Sequence, residues 1–247
     1  MNISQSLMNN VFSVNCPQAI KLRYIDKVST EQSEAMKRGL YFEWLLLGQS
    51  SQEAPQLEKL KNGGKSQAEK DIDDLAVIAR KTLELLGINM DKIQAQMRLE
   101  HDGMSGIIDM IANDIENPDR LAIYDIKYTE TKYDDRWNGW ADLDNKPDSK
   151  RQARHYIHLY HLIHGKYLPY YFIVFGKSGW CRVIKCVMTA ENLGMHIQEI
   201  ETVKTNLQAW EKAKWPAVPS YDKCRDCYVA SHCESFKATP DVEQYEV

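Results

Sequence analysis

The spacing of apolar residues changes four times along this chain. From Ser66 to Gly87 it is helical: Ile72, Leu75, Ile78 and Leu83 mark a stripe, Ser66 and Glu69 form a capping box, and Gly87 supplies the stop. Upstream, residues 31–47, "EQSEAMKRGLYFEWLLL", predict a second helix ended by Gly48. Residues 13–28 predict a shorter one, with Asn15 as cap and Pro17 in its first turn. The polar run 49–65 predicts a mobile loop. The middle of the chain then alternates with period two: "IQAQMRLEHD", "MSGIIDMIAND" and "RLAIYDIKYTE" predict three strands, separated by Asp102-Gly103 and by a turn at Pro118. Helical spacing returns from Ser149 to His164, closed by Gly165. Two strands follow, "YYFIVFG" and "WCRVIKCVM", then a long helix capped at Thr189.

The order α, β, β, β, α, β, β, α predicts a mixed α/β domain spanning residues 1–247, with a central sheet flanked by helices. From Pro216 onward the chain becomes turn-rich and carries three cysteines. Hydrophobic content of 43% and charged content of 27% fit a soluble globular protein. No apolar run approaches the roughly 20 residues that span a bilayer, so no membrane partner is expected. "MNISQSLMNN" has neither a basic start nor an apolar stretch, and a cytoplasmic location is expected. A net charge of −4 excludes a uniformly basic coat but permits a local basic groove.

Asp125 and Lys127 in "IYDIKYT" are two apart on a strand and share one face, while Ile126 packs on the other. An acid and an amine on an apolar strand are costly to bury unless they have partners or a task. Asp109 in "SGIIDMI" repeats the pattern one strand earlier, and a hairpin would bring the two carboxylates together. Glu43, in "RGLYFEWLLLG", is a third candidate. Converging carboxylates repel, and a hard dication such as Mg²⁺ or Mn²⁺ relieves that repulsion through oxygen ligands. In the bland alternative Asp109 and Lys127 form an edge-strand ion pair and Glu43 faces solvent.

Cys224, Cys227 and Cys233 lie within ten residues, a density that suits a metal or a cluster wanting a fourth ligand. Spacing leaves Cys16, Cys181, Cys186 and His232 open for that place. Four cysteines suit a 4Fe–4S cluster or a tetrahedral Zn²⁺.

In order along the chain, Gly39-x-x-x-Glu43, Gly106-x-x-Asp109, Asp125-x-Lys127 and Gln152-x-x-x-Tyr156 resemble the PD-(D/E)xK nuclease superfamily, and within it the RecB-like exonucleases. Cys16 before Pro17, with the downstream Cys224-x-x-Cys227-x5-Cys233, resembles the iron–sulfur branch of AddB-type and CRISPR-associated exonucleases. Two positions depart from the commoner pattern: many members carry His where Glu43 stands, and Glu-x-Lys in place of Asp-x-Lys. Each variant keeps a nitrogen or oxygen ligand. The resemblance implies a restriction-endonuclease-like core and a metal site of Asp109, Asp125, Glu43 and the Ile126 carbonyl. Lys127 would position water, with Gln152 and Tyr156 completing the catalytic set. It also picks Cys16 as the fourth cluster ligand. Residues 13–28 and 216–236 would then form a cluster-binding module packed against the N-terminus, closing a loop of about 200 residues. The implied activity is a metal-dependent DNA exonuclease acting on single strands or free ends. Its setting would be recombination, repair or CRISPR adaptation in a bacterial, archaeal or phage-infected cell, with proteins of those pathways or a second copy as partners.

Two other readings fit the same residues. One is an inactive DNA-end-binding protein, the other a zinc-stabilised interaction module. For DNA contact, Lys150, Arg151 and Arg154 lie near the start of a helix whose amides also favour phosphate. Trp137 and Trp140 suit either base stacking or core packing. His155, His158, His161 and His164 drift around the same helix, so they cannot all meet one metal, and packing or solvation is expected of them.

Overall fold

The computed structural model describes residues 1–14, 16–30, 32–48, 54–60, 63–135, 139–220, 224–225 and 227–237, the side chains of residues 234 and 237 excepted. They divide into two compact units: Gln32–His101 with Ser105–Leu193, and Met1–Glu31 with Asp102–Met104 and Gly194–Val247. The second is assembled from both ends of the sequence.

The first unit is built on a five-stranded sheet of β1 (Gln94–His101), β2 (Met104–Asn113), β3 (Leu121–Thr129), β4 (Tyr170–Gly176) and β5 (Cys181–Cys186), in the order β1-β2-β3-β4-β5. β2 and β3 are antiparallel, with Met110 opposite Tyr124 and Asn113 opposite Leu121. β3 and β4 are parallel, from Ile123 opposite Tyr170 to Thr129 opposite Gly176. β4 and β5 are antiparallel, with Val174 opposite Arg182. Only the parallel step needs a crossover, and the helix between β3 and β4 supplies it.

Local chemistry sets the helix ends. α3 (Glu34–Leu47) starts where Ser33 Oγ accepts the Met36 amide at 3.3 Å and stops at Gly48, whose φ of 66° is left-handed. α4 (Gln67–Leu85) starts where Ser66 Oγ accepts the Glu69 amide at 3.2 Å. Its buried stripe is Ile72, Leu75, Ala76, Ala79 and Leu83, whereas Ile78 is 48% exposed. The predicted stripe therefore erred at Ile78. Six residues beyond Ile72 a helix has turned about 120° away from it, and the small Ala76 and Ala79 take the inner positions. α5 (Pro147–His164) begins two residues before the expected Ser149, with Pro147 in its first turn, and ends at Gly165.

Strand alternation assigns the two faces of the sheet. Tyr124 and Ile126 of β3, with Tyr171, Ile173 and Phe175 of β4, pack with Phe42, Leu46, Ile72, Ala79 and Leu83 of α3 and α4. The Phe42 ring sits 5.5 Å from Phe175 and 5.7 Å from Tyr128. Opposite lie Ile123, Asp125 and Lys127 of β3 with Tyr170, Phe172 and Val174 of β4. Every residue of β4 is buried, as a central strand covered on both faces requires.

In the second unit α1 (Gln5–Ser13), which the sequence reading did not foresee, is capped by Ser4 and buries Leu7, Met8 and Val11. The helix expected over 13–28 is instead α2 (Pro17–Ile20) running into a π-turn at Lys21–Ile25, with Cys16 at its N-cap. The expected cap, Asn15, lies outside the described residues. α6 (Ala190–Lys212) opens at Thr189, whose Oγ1 accepts the Asn192 amide at 3.1 Å. A 3₁₀ turn at Ala230–His232 and α7 (Glu234–Lys237) follow. N- and C-terminal segments meet inside this unit: the Gln18 amide donates to the Pro216 carbonyl (3.3 Å), and the Arg23 guanidinium lies 4.5 Å over the Tyr228 ring. In the expected loop 49–65, residues 49–53 and 61–62 lie outside the described residues, while Lys59 and Lys65 form an isolated bridge. No described helix is long and apolar enough to cross a membrane.

Candidate active site

Asp125 lies mid-strand on β3, 2% exposed, and two groups hold its carboxylate. Gln152 of α5 donates Nε2 to Oδ1 at 2.6 Å, and Lys127 Nζ lies 2.5 Å from Oδ2. No well-directed hydrogen bond reaches Oδ2, although it is buried. The backbone ladder between β2 and β3 ends at Met110 and Tyr124. Two residues beyond Tyr124, the Ile126 amide donates to the side chain of Asp109, at 3.1 Å to Oδ2. The antiparallel pairing thus brings Asp109 beside Asp125.

Glu43, one residue after the buried Phe42, completes the group. Burial, and then the charge of Asp125, push its carboxyl up to about 7, with Lys127 and Gln96 opposing. Asp109 is raised by burial and by the charges of Asp125 and Glu43. Burial works against the Lys127 ammonium, yet Asp125, Asp109 and Glu43 outweigh it and hold its pKa above the ordinary lysine value. Three distant stretches of sequence therefore deliver three carboxylates and one ammonium to one electrostatic neighbourhood. The edge-strand alternative fails: Lys127 pairs with Asp125, β3 is the central strand, and Glu43 is partly buried.

Tyr156, one turn after Gln152, packs where the glycine of the second motif leaves room. A Cβ on Gly106 would come 2.4 Å from Tyr156 Cε1. Gly39 has open space around its Cβ position, and nothing in the structure explains that motif glycine.

Two residues escaped the sequence reading. Gln96 of β1 donates Nε2 to Glu43 Oε1 at 2.5 Å from a left-handed backbone, φ 53°, unusual in a strand. Tyr170 is wholly buried and stacked on Tyr156 at 6.3 Å; burial and the charges of Asp125 and Asp109 raise its hydroxyl pKa. Nothing in the sequence marks Gln96, because its placement depends on that kink. The alternation that puts Asp125 on one face assigns Tyr170 to the same face once the β3–β4 register is known.

Of the residues expected to grip DNA, Lys150 pairs with Asp144 at 3.0 Å, and Arg151 is buried with a 2.8 Å hydrogen bond to Asp148. Arg154 is partly buried on the same helix. Trp140 is buried against Phe172, ring centres 5.5 Å apart, and so serves packing; Trp137 lies outside the described residues. The histidines pack as well: His155 Nε2 contacts the Ser105 carbonyl at 3.0 Å, and His161 stacks on Tyr167 at 3.7 Å.

In the second unit Cys16, Cys224, Cys227 and Cys233 line one small hollow with Val14, Val229 and Phe236. Burial raises the Cys227 thiol, and the charges of Cys16, Cys224 and Cys233 raise it further. Cys181 and Cys186 lie on β5 instead, each pushed up to about 11 by burial. Among the described residues no three His, Cys, Asp or Glu side chains gather closely enough to hold one ion. In the first unit Gln96 bonds Glu43, the Ile126 amide bonds Asp109, and Gln152 with Lys127 holds Asp125. In donor type both sets fit their groups. Three carboxylates against one ammonium, with the buried Asp125 Oδ2 beside Lys127, suit a hard dication. Four thiols in an apolar hollow suit a cluster or zinc.

The sequence matches the family model of the PD-(D/E)XK nuclease superfamily over residues 12–234. No curated protein matches it. Among solved structures, it is similar to a protein from Eubacterium rectale described as a candidate exonuclease, with 16% identity and a TM-score of 0.64 over 100% of this chain and 91% of that one. It is also similar to LHK-Exo, solved in complex with dAMP, with 10% identity and a TM-score of 0.51 over 86% of this chain and 93% of that one. At these identities the structural likeness concerns the fold.

Proposed function

We propose, from the premise that this chain belongs to the PD-(D/E)XK nuclease superfamily, that it is a divalent-metal-dependent exonuclease hydrolysing phosphodiester bonds in DNA with free ends. What supports this reading is that Lys127 pairs with Asp125 and that the charges of Glu43, Asp109 and Asp125 act on one another and on Lys127. Asp109 and Asp125, with Glu43 and the Ile126 carbonyl, are the residues that would hold Mg²⁺ or Mn²⁺. What such an ion supplies when bound is Lewis acidity toward water and phosphate.

The remaining work falls to the side chains. Lys127 orients the attacking water and offsets negative charge gathering on the phosphate. Gln152 fixes the Asp125 carboxylate through Oδ1, and Lys127 pairs with Oδ2. Tyr156 backs Gln152 from the same helix face. Gln96 keeps Glu43 in register. Replacing Lys127 with alanine should lower cleavage of end-labelled DNA at least a hundredfold while sparing DNA binding within a few-fold; unchanged turnover refutes its role. A protein that binds DNA ends and never cleaves them would instead support the inactive end-binding reading.

Cys16, Cys224, Cys227 and Cys233 are read as the ligands of a 4Fe–4S cluster, with structural Zn²⁺ as the other group that four thiolates hold. Their common hollow and mutual electrostatic influence support the set. Anaerobically purified protein should show a broad absorbance near 400 nm that Cys227→Ser abolishes. One zinc per chain and no visible absorbance would assign zinc.

A further inference from the structure

A second feature lies on the same sheet face as the proposed catalytic residues. Asp125, Lys127 and Thr129 of β3 stand opposite Phe172, Val174 and Gly176 of β4, and Val174 in turn stands opposite Arg182 of β5. Paired residues project to the same side, so Arg182 occupies the face of Asp125 and Lys127, two strands from Lys127. At roughly 4.8 Å per strand that is about 10 Å, the reach of a few nucleotides stacked roughly 3.4 Å apart.

On this face Gly176 has no side chain, and the Trp180 indole fills its place: a Cβ there would lie 2.1 Å from the ring. The Tyr133 ring meets Trp180 edge-on, centroids 5.4 Å apart and planes at 80°. The Arg182 guanidinium lies 4.1 Å from the centroid of the Tyr133 ring. Arg182 is itself pinned, donating Nη1 to the carbonyls of Trp140 and Ala141. Tyr133 is nonetheless 50% exposed. The ring thus has a cation over one face and an indole at its edge, while half of the residue stays in contact with solvent. Such a ring is held without the entropy cost of ordering a mobile side chain.

We propose that Tyr133, backed by Arg182 and Trp180, is a stacking platform for a base of the single-stranded end of the DNA substrate. The proposal rests on the nuclease reading and deepens it. Every base has a π-face, so such a platform grips a strand without reading its sequence, and the guanidinium adds attraction for the nearby phosphate. The platform would hold the strand a short distance from the phosphate that Lys127 addresses. It also suits an acidic chain, because one stacked base and one cation need no broad basic surface.

The test is equilibrium binding of a fluorescently labelled single-stranded DNA oligonucleotide to the whole chain in Ca²⁺, alongside quenching of 2-aminopurine placed at successive positions from the end. Wild type should quench one position selectively. Tyr133→Ala should remove that quenching and weaken binding about tenfold or more, the scale of one base–aromatic stack. Tyr133→Phe should retain both. An abasic residue at the quenched position should weaken wild type and leave Tyr133→Ala unaffected. If Tyr133→Ala melts earlier yet binds within twofold of wild type, the ring merely packs the loop and the proposal is overturned. Selective quenching lost in Tyr133→Ala with Lys127→Ala still uncleaving supports both readings. Metal-dependent cleavage by wild type together with unchanged binding by Tyr133→Ala removes the platform alone. A wild-type chain that neither binds nor cleaves DNA removes both.

Discussion

Glu43 is an acid whose ionisation the fold opposes, and that opposition has a sign. Its pKa rises from 4.5 to about 7, so between those pH values the folded state holds a proton that the unfolded state has released. Folded stability from this group is present at low pH and is lost as pH climbs toward 7. In EDTA, Glu43→Gln should therefore be more stable than wild type at pH 8, on the order of 1–3 kcal/mol, and nearly equal to it at pH 4.5. Urea denaturation at the two pH values checks this. Equal stability at both would mean that Glu43 is not held among like charges. A second prediction concerns Gly106. Alanine there drives a methyl into Tyr156, so Gly106→Ala should cost about 1–3 kcal/mol and lower cleavage together with stability, as the melting midpoint and turnover would report. At this scale the sequence was informative where period-two alternation applied. It put Asp125 and Lys127 on one face and paired them with Asp109, because those inferences need only strand geometry. Gln96 was illegible, since its approach to Glu43 passes through a left-handed residue inside a strand.

Among the elements, α3 shows how packing places chemistry. Phe42 anchors the helix between Phe175 and Tyr128, and Glu43 follows it in sequence. Phe42→Ala should cost about 3–5 kcal/mol and reduce cleavage even at temperatures where the protein stays folded, measurable by calorimetry beside a turnover assay. Element existence was well marked by caps and glycines: Ser66, Thr189, Gly48 and Gly165 all stand at helix ends, whereas the helix expected from residue 31 starts at Glu34, after Ser33. Misplacements came where a competing signal was stronger. Ile78 outweighed Ala76 and Ala79 in a hydrophobicity count, although the alanines face inward. Pro17 marked a true helix start, but the π-turn at Lys21–Ile25 breaks the helical period that a longer helix would keep. The parallel β3–β4 step fits the helix between them, which supplies the crossover.

For the chain as a whole, the two compact units separate the two candidate chemistries. The carboxylate site lies in the unit of Gln32–His101 and Ser105–Leu193, and the four cysteines lie in the unit built from both chain ends. Loading either site should register in a separate transition. Mg²⁺ or Mn²⁺ at about 100 times its dissociation constant should stabilise by about 2.7 kcal/mol, raising the melting temperature of wild type and not of Asp125→Ala. The order of elements along the chain was legible because each carries its own period. Pattern alone could not join the two chain ends, because that depends on contacts between residues about two hundred positions apart, such as Gln18 with Pro216; only the family resemblance brought 13–28 and 216–236 together. The most direct measurement is degradation of linear DNA labelled at either end, beside circular DNA, by wild type and Asp125→Ala with Mg²⁺ or Mn²⁺. The account predicts that wild type shortens the linear DNA only when the cation is present, spares the circle, and loses this activity with Asp125. Cleavage that persists in Asp125→Ala, or wild-type protein that leaves every substrate intact with either cation, would contradict it.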